Sequence, residues 1–352
     1  MWRGALIGLG NVAVHGHLPG WSSRPDVTIV AATDTKPGRR AECDGRLPDA
    51  RWYDSTDELL ADASVDFVDI CTPPASHASL IRSALARGLH VLCEKPLVCS
   101  LDDVRSLAEL AAERGRVLHT VDNWHHAPIV RRIRELVEQG EIGEVTRGVW
   151  HTLRTRPAPG GDGSSANWRV EPAVAGGGVL ADHGWHVFYI LPRWIGERPT
   201  AVTARLENRR HPDWPVEDTA AVTLTFPRAT VEVLLTWASD VRRNWAELIG
   251  TAGRIELHDD ALAVTRHGLE RRWSLPPALS DGSYHPDWFD PVLDQFLAEV
   301  AGLARRGSNL AEASLCVELQ ALARESSRRG ALALSLPVPP SPVPTASMEP
   351  SI

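Results

Sequence analysis

The chain has 352 residues, enough for two domains of about 150 residues each, which excludes a disulfide-stapled miniprotein. Its 37 basic and 45 acidic side chains give a formal charge of -8, a balance that offers no basic surface to nucleic acid or to an anionic membrane. No apolar run approaches the roughly 18 residues of a membrane span, and the first residues lack the charged and apolar regions of a secretion signal, so a cytoplasmic protein is expected.

The first third alternates short apolar runs with helix-compatible stretches. Strands are predicted at residues 4–8, 27–32, 65–72, 89–93 and 117–121, and helices at 75–87 and 101–114. Ser100 followed by Asp103 offers an N-cap, and Gly88 and Gly115 stand where a helix-ending glycine belongs. Continuous apolar strands joined by helical crossovers imply a buried, mainly parallel sheet.

Beyond about residue 122 the pattern changes. A helix is predicted at 127–138, closed by Gly140, then a strand at 145–154, then a Gly/Pro/Ser-rich segment at 157–165 that reads as a surface loop or a ligand-facing one. A helix over 179–194 leads into short strands at 200–207, 219–226, 230–237, 245–250, 254–258, 261–266 and 271–275, whose brief connections favour hairpins. Helices return at 288–301 and 310–328, and six prolines from Pro337 onward mark a disordered tail. The expected organisation is an α/β dinucleotide-binding domain over 1–123, an α+β substrate and oligomerisation domain on a largely antiparallel sheet over 124–335, and a tail over 336–352. The last helix is a candidate to pack back on the first domain.

The first chemical signal is Gly8-Leu9-Gly10-Asn11-Val12-Ala13, directly after the first strand. Gly8 permits a tight turn, Gly10 lets the backbone approach a pyrophosphate, and the N–H groups around Asn11 and Val12 can hold it. Asp34 ends the second strand, 24 residues past Gly10, the spacing of a carboxylate that accepts both adenosine-ribose hydroxyls and repels a 2′-phosphate. That favours NAD; Lys36, Arg39 and Arg40 follow closely and keep NADP open. After the third strand, Thr72-Pro73-Pro74 forces the chain out of the sheet at its ligand-binding edge, so Thr72 and Pro73 border the cofactor, and His77 either joins them or supports the next helix start. Glu94-Lys95-Pro96 follows the fourth strand. Lys95 can donate to an alcohol or carbonyl oxygen there, with Glu94 orienting the ammonium or touching the cofactor. Cys43, Cys71, Cys93, Cys99 and Cys316 have no paired spacing and read as reduced thiols.

These elements, with Gly176-Gly177-Gly178-Val179-Leu180-Ala181-Asp182-His183-Gly184-Trp185-His186, resemble the glucose-fructose oxidoreductase, inositol dehydrogenase and rhizopine-catabolism family, Gfo/Idh/MocA. The resemblance covers residues 3–330. It implies a Rossmann-type first domain, a second domain whose sheet often forms subunit contacts, and a cleft where nicotinamide meets a sugar, cyclitol or related carbonyl compound. It also implies that Lys95, Asp182 and His186 form the polar catalytic set. The spacing agrees, since residues 182 and 186 share one face of a helix.

On this reading His186 accepts the proton in alcohol oxidation, Lys95 binds and polarises the reacting oxygen, and Asp182 orients them and binds a substrate hydroxyl. Asn123, Trp124, His125, Trp168, Arg169 and His183 are further candidates for substrate contact, with His151 and His285 weaker ones. Asp182, His183 and His186 could suggest a metal, but the Lys95 constellation needs none and no metal is expected. Two alternatives use the same residues: redox-neutral glycoside cleavage with bound NAD, and a non-catalytic dinucleotide sensor or scaffold. The expected partners are a small sugar or polyol-like substrate and copies of the same chain, as a homodimer or homotetramer.

Overall fold

The apolar runs of the first third become six parallel strands in a computed structural model that describes residues 1–62, 64–160, 167–282 and 284–337. They are β1 (Trp2–Ile7), β2 (Val27–Thr33), β3 (Arg51–Tyr53), β4 (Phe67–Ile70), β5 (His90–Cys93) and β6 (Leu118–Thr120), in the order β3-β2-β1-β4-β5-β6. Every residue of β4 and β5 is buried, as a sheet covered on both faces requires. The order reverses between β1 and β4, so the crevice for a ligand opens at their carboxyl ends, beyond Ile7 and Ile70. The predicted caps hold: the Ser100 hydroxyl oxygen accepts the Asp103 N–H, and Gly115 is left-handed at φ 61°. The sequence prediction missed β3 and the helix Thr56–Asp62, because three residues are too few for alternation to register.

The second sheet contains β7 (Val145–Leu153), β8 (Ala201–Glu207), β9 (Thr219–Thr225), β10 (Thr230–Thr236), β11 (Arg243–Gly250), β12 (Gly253–His258), β13 (Ala261–Arg266), β14 (Leu269–Ser274) and β15 (Leu334–Ser335). Its order is β14-β13-β12-β11-β7-β10-β9-β8-β15, antiparallel except between β7 and β10. In β10, Val231, Val233 and Leu235 are buried while Thr230 and Glu232 are exposed, the alternation of a sheet with one face packed. The helices Trp185–Ile195 and Ser308–Arg328 pack together, the latter also against β8.

The chain returns to the first sheet near its end. Phe289, Val292, Leu293, Phe296 and Val300 of the helix Pro286–Val300 share a core with Leu6, Phe67 and Leu92 of β1, β4 and β5. Asn309 then closes the open edge of β6: its side-chain oxygen accepts the Thr120 N–H at 2.8 Å and its amide donates to the Thr120 carbonyl at 2.9 Å. Leu336 corrects the expected start of the tail, because it is buried and its N–H donates to the Thr200 carbonyl at 2.8 Å. Residues 338–352, and 161–165 of the expected loop, lie outside the described residues.

Asn309→Ala leaves the Thr120 N–H and carbonyl buried without those partners, at about 1–3 kcal/mol for each stranded group. A loss of roughly 2–6 kcal/mol on urea unfolding is expected, and an unchanged midpoint would show that the clamp carries no stability.

Candidate active site

One cleft of about 810 Å³ runs from the glycine turn to the mouth of the second sheet. Gly8, at φ 93°, starts it: an added Cβ would lie 2.9 Å from Thr72 Cγ2 and 3.0 Å from the Cys71 carbonyl carbon, so only glycine fits the turn. At Gly10 the same position meets nothing within 4 Å, leaving a space that a pyrophosphate can enter. Asp34 is fixed at the end of β2, where its carboxylate accepts the Leu9 N–H at 2.7 Å and the Lys36 N–H at 2.8 Å. Each oxygen keeps acceptor capacity for a ribose hydroxyl. The turn therefore fits an adenine dinucleotide, and Gly8, Gly10, Asn11, Val12, Asp34, Thr72 and Pro73 all line the cleft where it could be held.

His77 corrects an expectation: it does not line the cleft. Fully buried, it lies between the Thr72 and Pro96 carbonyls, 2.8 and 2.9 Å from its two ring nitrogens, and so ties the Thr72-Pro73 corner to the turn after Lys95.

Behind Glu94 is a buried charge network that the sequence reading missed. His17 lies 2.9 Å from Asp69 and 3.0 Å from Glu94, and Trp21 donates to Asp69 at 2.7 Å. Burial is the largest single effect and disfavours the His17 cation, but Asp69 and Cys71 together more than offset it and leave its pKa well above the ordinary value. Glu94 is held below the ordinary carboxylate range: burial pushes it up, and His17 and Lys95 more than offset this. Its second oxygen accepts the Lys95 backbone N–H at 2.9 Å.

Lys95 reaches across the cleft to the second half of the chain. Its Nζ donates to the Asp182 carboxylate at 2.8 Å and to the Asp182 carbonyl at 3.0 Å. Asp182 belongs to a π-helical turn, Leu180–Gly184, that precedes the α-helix Trp185–Ile195, where regular α-helix was predicted. Such turns are frequent at functional sites. The glycine run ahead of it permits a close approach: a Cβ on Gly178 would fall 2.0 Å from the Glu217 carbonyl oxygen, and the Glu217 carboxylate accepts the Gly178 and Leu180 N–H groups. Burial alone would raise the Asp182 pKa, but Lys95 first and then Arg169 hold it well below the usual range. His183, pushed down to about 3 chiefly by burial, is neutral.

His186 completes the group. Its ring stacks on Trp124 at 4.3 Å between centroids and 9° between planes. Its Nδ1 lies 2.9 Å from the Tyr189 hydroxyl, which accepts the Trp124 N–H at 3.1 Å. Nε2 is the ring nitrogen without a protein hydrogen bond among the described residues. Burial first, then the Lys95 and Arg154 charges, pull the His186 pKa well below its ordinary value, so the ring is neutral. Tyr189 follows His186 by three residues, a helical spacing that could have revealed it in the sequence.

Of the residues named as candidates for substrate contact, Asn123, Trp124, Trp168, Arg169, His183 and His285 line the cleft. His125 does not: buried, its Nε2 lies 3.6 Å from Glu312 and 3.8 Å from Asp122, with its ring against Tyr189. Its side chain turns to the back of the Tyr189 ring, because the short helix Asn123–His126 sends Trp124 and His125 to different neighbours. His151 lies on the open face of the second sheet, beside Trp245. Arg154 and Arg242, at strand ends with no motif around them, line the cleft without having been anticipated.

Comparison with known proteins agrees with this architecture. Residues 2–121 match the model of the oxidoreductase family with an NAD-binding Rossmann fold, and residues 130–256 match the GFO/IDH/MocA C-terminal domain. An uncharacterized oxidoreductase of Schizosaccharomyces pombe is 31% identical over 63% of this chain, a match that spans 59% of that relative's length. The dTDP-3,4-didehydro-2,6-dideoxy-alpha-D-glucose 3-reductase of Streptomyces antibioticus is 30% identical over 72% of this chain and 75% of its own. Among solved structures, GenD2 from gentamicin A biosynthesis, in complex with NAD, superposes with a TM-score of 0.81 at 25% identity, covering 96% of this chain and 97% of that one. With the nucleotide-binding half and the sheet-forming half both matched in the order in which the fold presents them, the chain belongs to the Gfo/Idh/MocA oxidoreductase family.

Proposed function

We propose that the protein is an NAD-dependent oxidoreductase that transfers hydride between nicotinamide and a sugar, cyclitol or related keto compound, with Lys95, Asp182 and His186 as its polar centre. The observation that carries this reading is their convergence on the cleft opened by the glycine turn, with the Lys95 ammonium 2.8 Å from Asp182 and His186 Nε2 without a protein partner among the described residues. The family match and a relative that reduces a nucleotide-linked keto sugar support it. When bound, nicotinamide supplies the hydride acceptor or donor.

In alcohol oxidation Lys95 holds the substrate oxygen while His186 takes its proton at Nε2, with Nδ1–H then donating to Tyr189; in reduction the proton runs the other way. A phenol can accept or donate, so Tyr189 supports the ring in either tautomer and is a positioning residue. Asp182 fixes Lys95 and offers its remaining acceptor capacity to a substrate hydroxyl.

His186→Ala and Lys95→Ala are each expected to keep the fold and most NAD affinity while losing about 10²- to 10⁴-fold in single-turnover hydride transfer. Wild-type rates in both folded variants would remove these residues from the chemistry. Because His186 is neutral well below the ordinary imidazole pKa, the acid limb of kcat/KM for oxidation should fall below about pH 6.5. In Tyr189→Phe the limb should shift while NAD affinity stays level; an unmoved limb would leave Tyr189 a packing residue. Net reduction of NAD on substrate addition separates this function from redox-neutral glycoside cleavage and from cofactor sensing.

Asp34 motivates a preference for NAD over NADP, with Lys36, Arg39 and Arg40 as the residues that would support NADP. Titration of both oxidised cofactors at matched ionic strength should give the lower Kd for NAD, and an NADP preference would overturn the assignment.

The same reading includes cytoplasmic residence and a homodimer or homotetramer joined through the second sheet. The sheet's open face supports self-association: His151, Thr203, Arg205, Thr223, Glu232 and Leu234 border a shallow depression of about 300 Å³ there, with no covering layer among the described residues. Sedimentation equilibrium over a range of concentrations should give a dimer or tetramer, and a persistent monomer would reject it.

A further inference from the structure

Three guanidinium groups border the end of the cleft that holds Lys95 and Asp182, and none forms a hydrogen bond with a carboxylate among the described residues. Arg154 directly follows β7 and is 2% exposed. Its Nη1 donates to the Leu153 carbonyl at 2.8 Å and the Arg243 carbonyl at 3.1 Å, and its buried Nε has no partner among the described residues. Arg242 directly precedes β11 and donates to the Ser280 and Gly282 carbonyls. Arg169 stacks on Trp168 at 4.3 Å and donates to the Pro159 carbonyl at 3.2 Å. Among the described residues the carboxylate within 4 Å of Arg169 is that of Asp182, at 3.9 Å, and that group is already bound by Lys95.

Carbonyls orient these cations but do not neutralise them. Burial, and then the neighbouring Arg242 charge, push the Arg154 pKa down to about 9, against a smaller opposing pull from the Asp259 and Asp182 carboxylates, neither of which is hydrogen-bonded to it among the described residues. A guanidinium in this setting is costly unless an anion meets it, and its planar fork matches the two oxygens of a carboxylate or phosphate. The open space at Gly10 in the glycine turn already offers a place for the cofactor pyrophosphate. The charge of Arg154 is instead felt by His183 and His186, at the substrate end.

Resting on the oxidoreductase reading above, we infer that the substrate is an anionic carbohydrate, whose carboxylate or phosphate sits on Arg154, Arg169 and Arg242 while its CH–OH or ketone faces Lys95 and His186. A neutral sugar can accept hydrogen bonds from the same groups but leaves their charge unbalanced.

The test is calorimetric titration of the protein saturated with NADH, using D-glucose, D-glucuronate and D-glucose 6-phosphate. At least one charged probe should bind about tenfold or more tightly than glucose, and which one does so separates a carboxylate from a phosphate substrate. That preference should fall by about tenfold in Arg242→Gln and in Arg169→Gln, with circular dichroism checking the fold; these two side chains are less buried than Arg154, whose removal endangers the sheet end. Equal or weaker binding of both charged probes, no binding of either at millimolar concentration, or a preference that survives in both variants would overturn the inference. NADH binding itself, followed by tryptophan fluorescence in the same samples, tests the reading beneath: its absence would defeat both, whereas NADH binding without charge preference would defeat only the anionic substrate.

Discussion

The ion pair between Lys95 and Asp182 is the contact on which the rest of the site depends. It joins the turn after β5 of the parallel sheet to the helical segment between β7 and β8 of the second sheet, and so sets the distance between the half of the cleft that fits a dinucleotide and the half that offers an imidazole. A partly buried pair of this kind adds little net stability, because desolvation offsets much of the attraction. Its value is positional. The ammonium is bonded to both a side-chain and a backbone oxygen of one residue, which restricts a lysine whose free side chain would sample many rotamers.

The supports behind the pair are as specific as the pair itself. On one side Glu94 takes the Lys95 backbone N–H and is backed by His17 and Asp69, a carboxylate-imidazolium-carboxylate series in which each charge stabilises the next. On the other, Glu217 holds the glycine run that delivers Asp182. His186 is treated oppositely: burial and neighbouring cations keep it neutral, while Trp124 and Tyr189 fix its plane and one of its nitrogens. Two histidines of one chain are thus driven to opposite charge states, and the difference comes from whether carboxylates or cations face the ring.

Charge also separates the two ends of the cleft. At the glycine turn the Asp34 carboxylate, suited to ribose hydroxyls, stands with Lys36 and Arg39 on the cleft wall, whereas the opposite end gathers Arg154, Arg169 and Arg242 near Asp182, which Lys95 has already claimed, with Asp259 and Asp281 acting on the arginines only through space. A substrate entering there meets the Arg154 guanidinium in a buried setting, where screening is weak.

Much of this was legible in the residues. The glycine turn, the Asp34 spacing, the Thr72-Pro73 corner, Glu94-Lys95-Pro96 and the i, i+4 pair Asp182 and His186 are local signals, because backbone geometry and short-range spacing dictate which residue types can serve there. So are the caps at Ser100 and Gly115 and the change from parallel to antiparallel patterning. The tertiary structure alone decided what depends on contacts distant in sequence: the meeting of residues 95 and 182, the burial of His17 between residues 69 and 94, the removal of His77 and His125 from the cleft, and the Asn309 clamp on β6. Histidines beside a motif look alike in sequence, since nothing local records which way a ring turns. Arg154 and Arg242 carry no motif at all; they became part of the site only because β7 and β11 pair antiparallel and bring the end of one beside the start of the other.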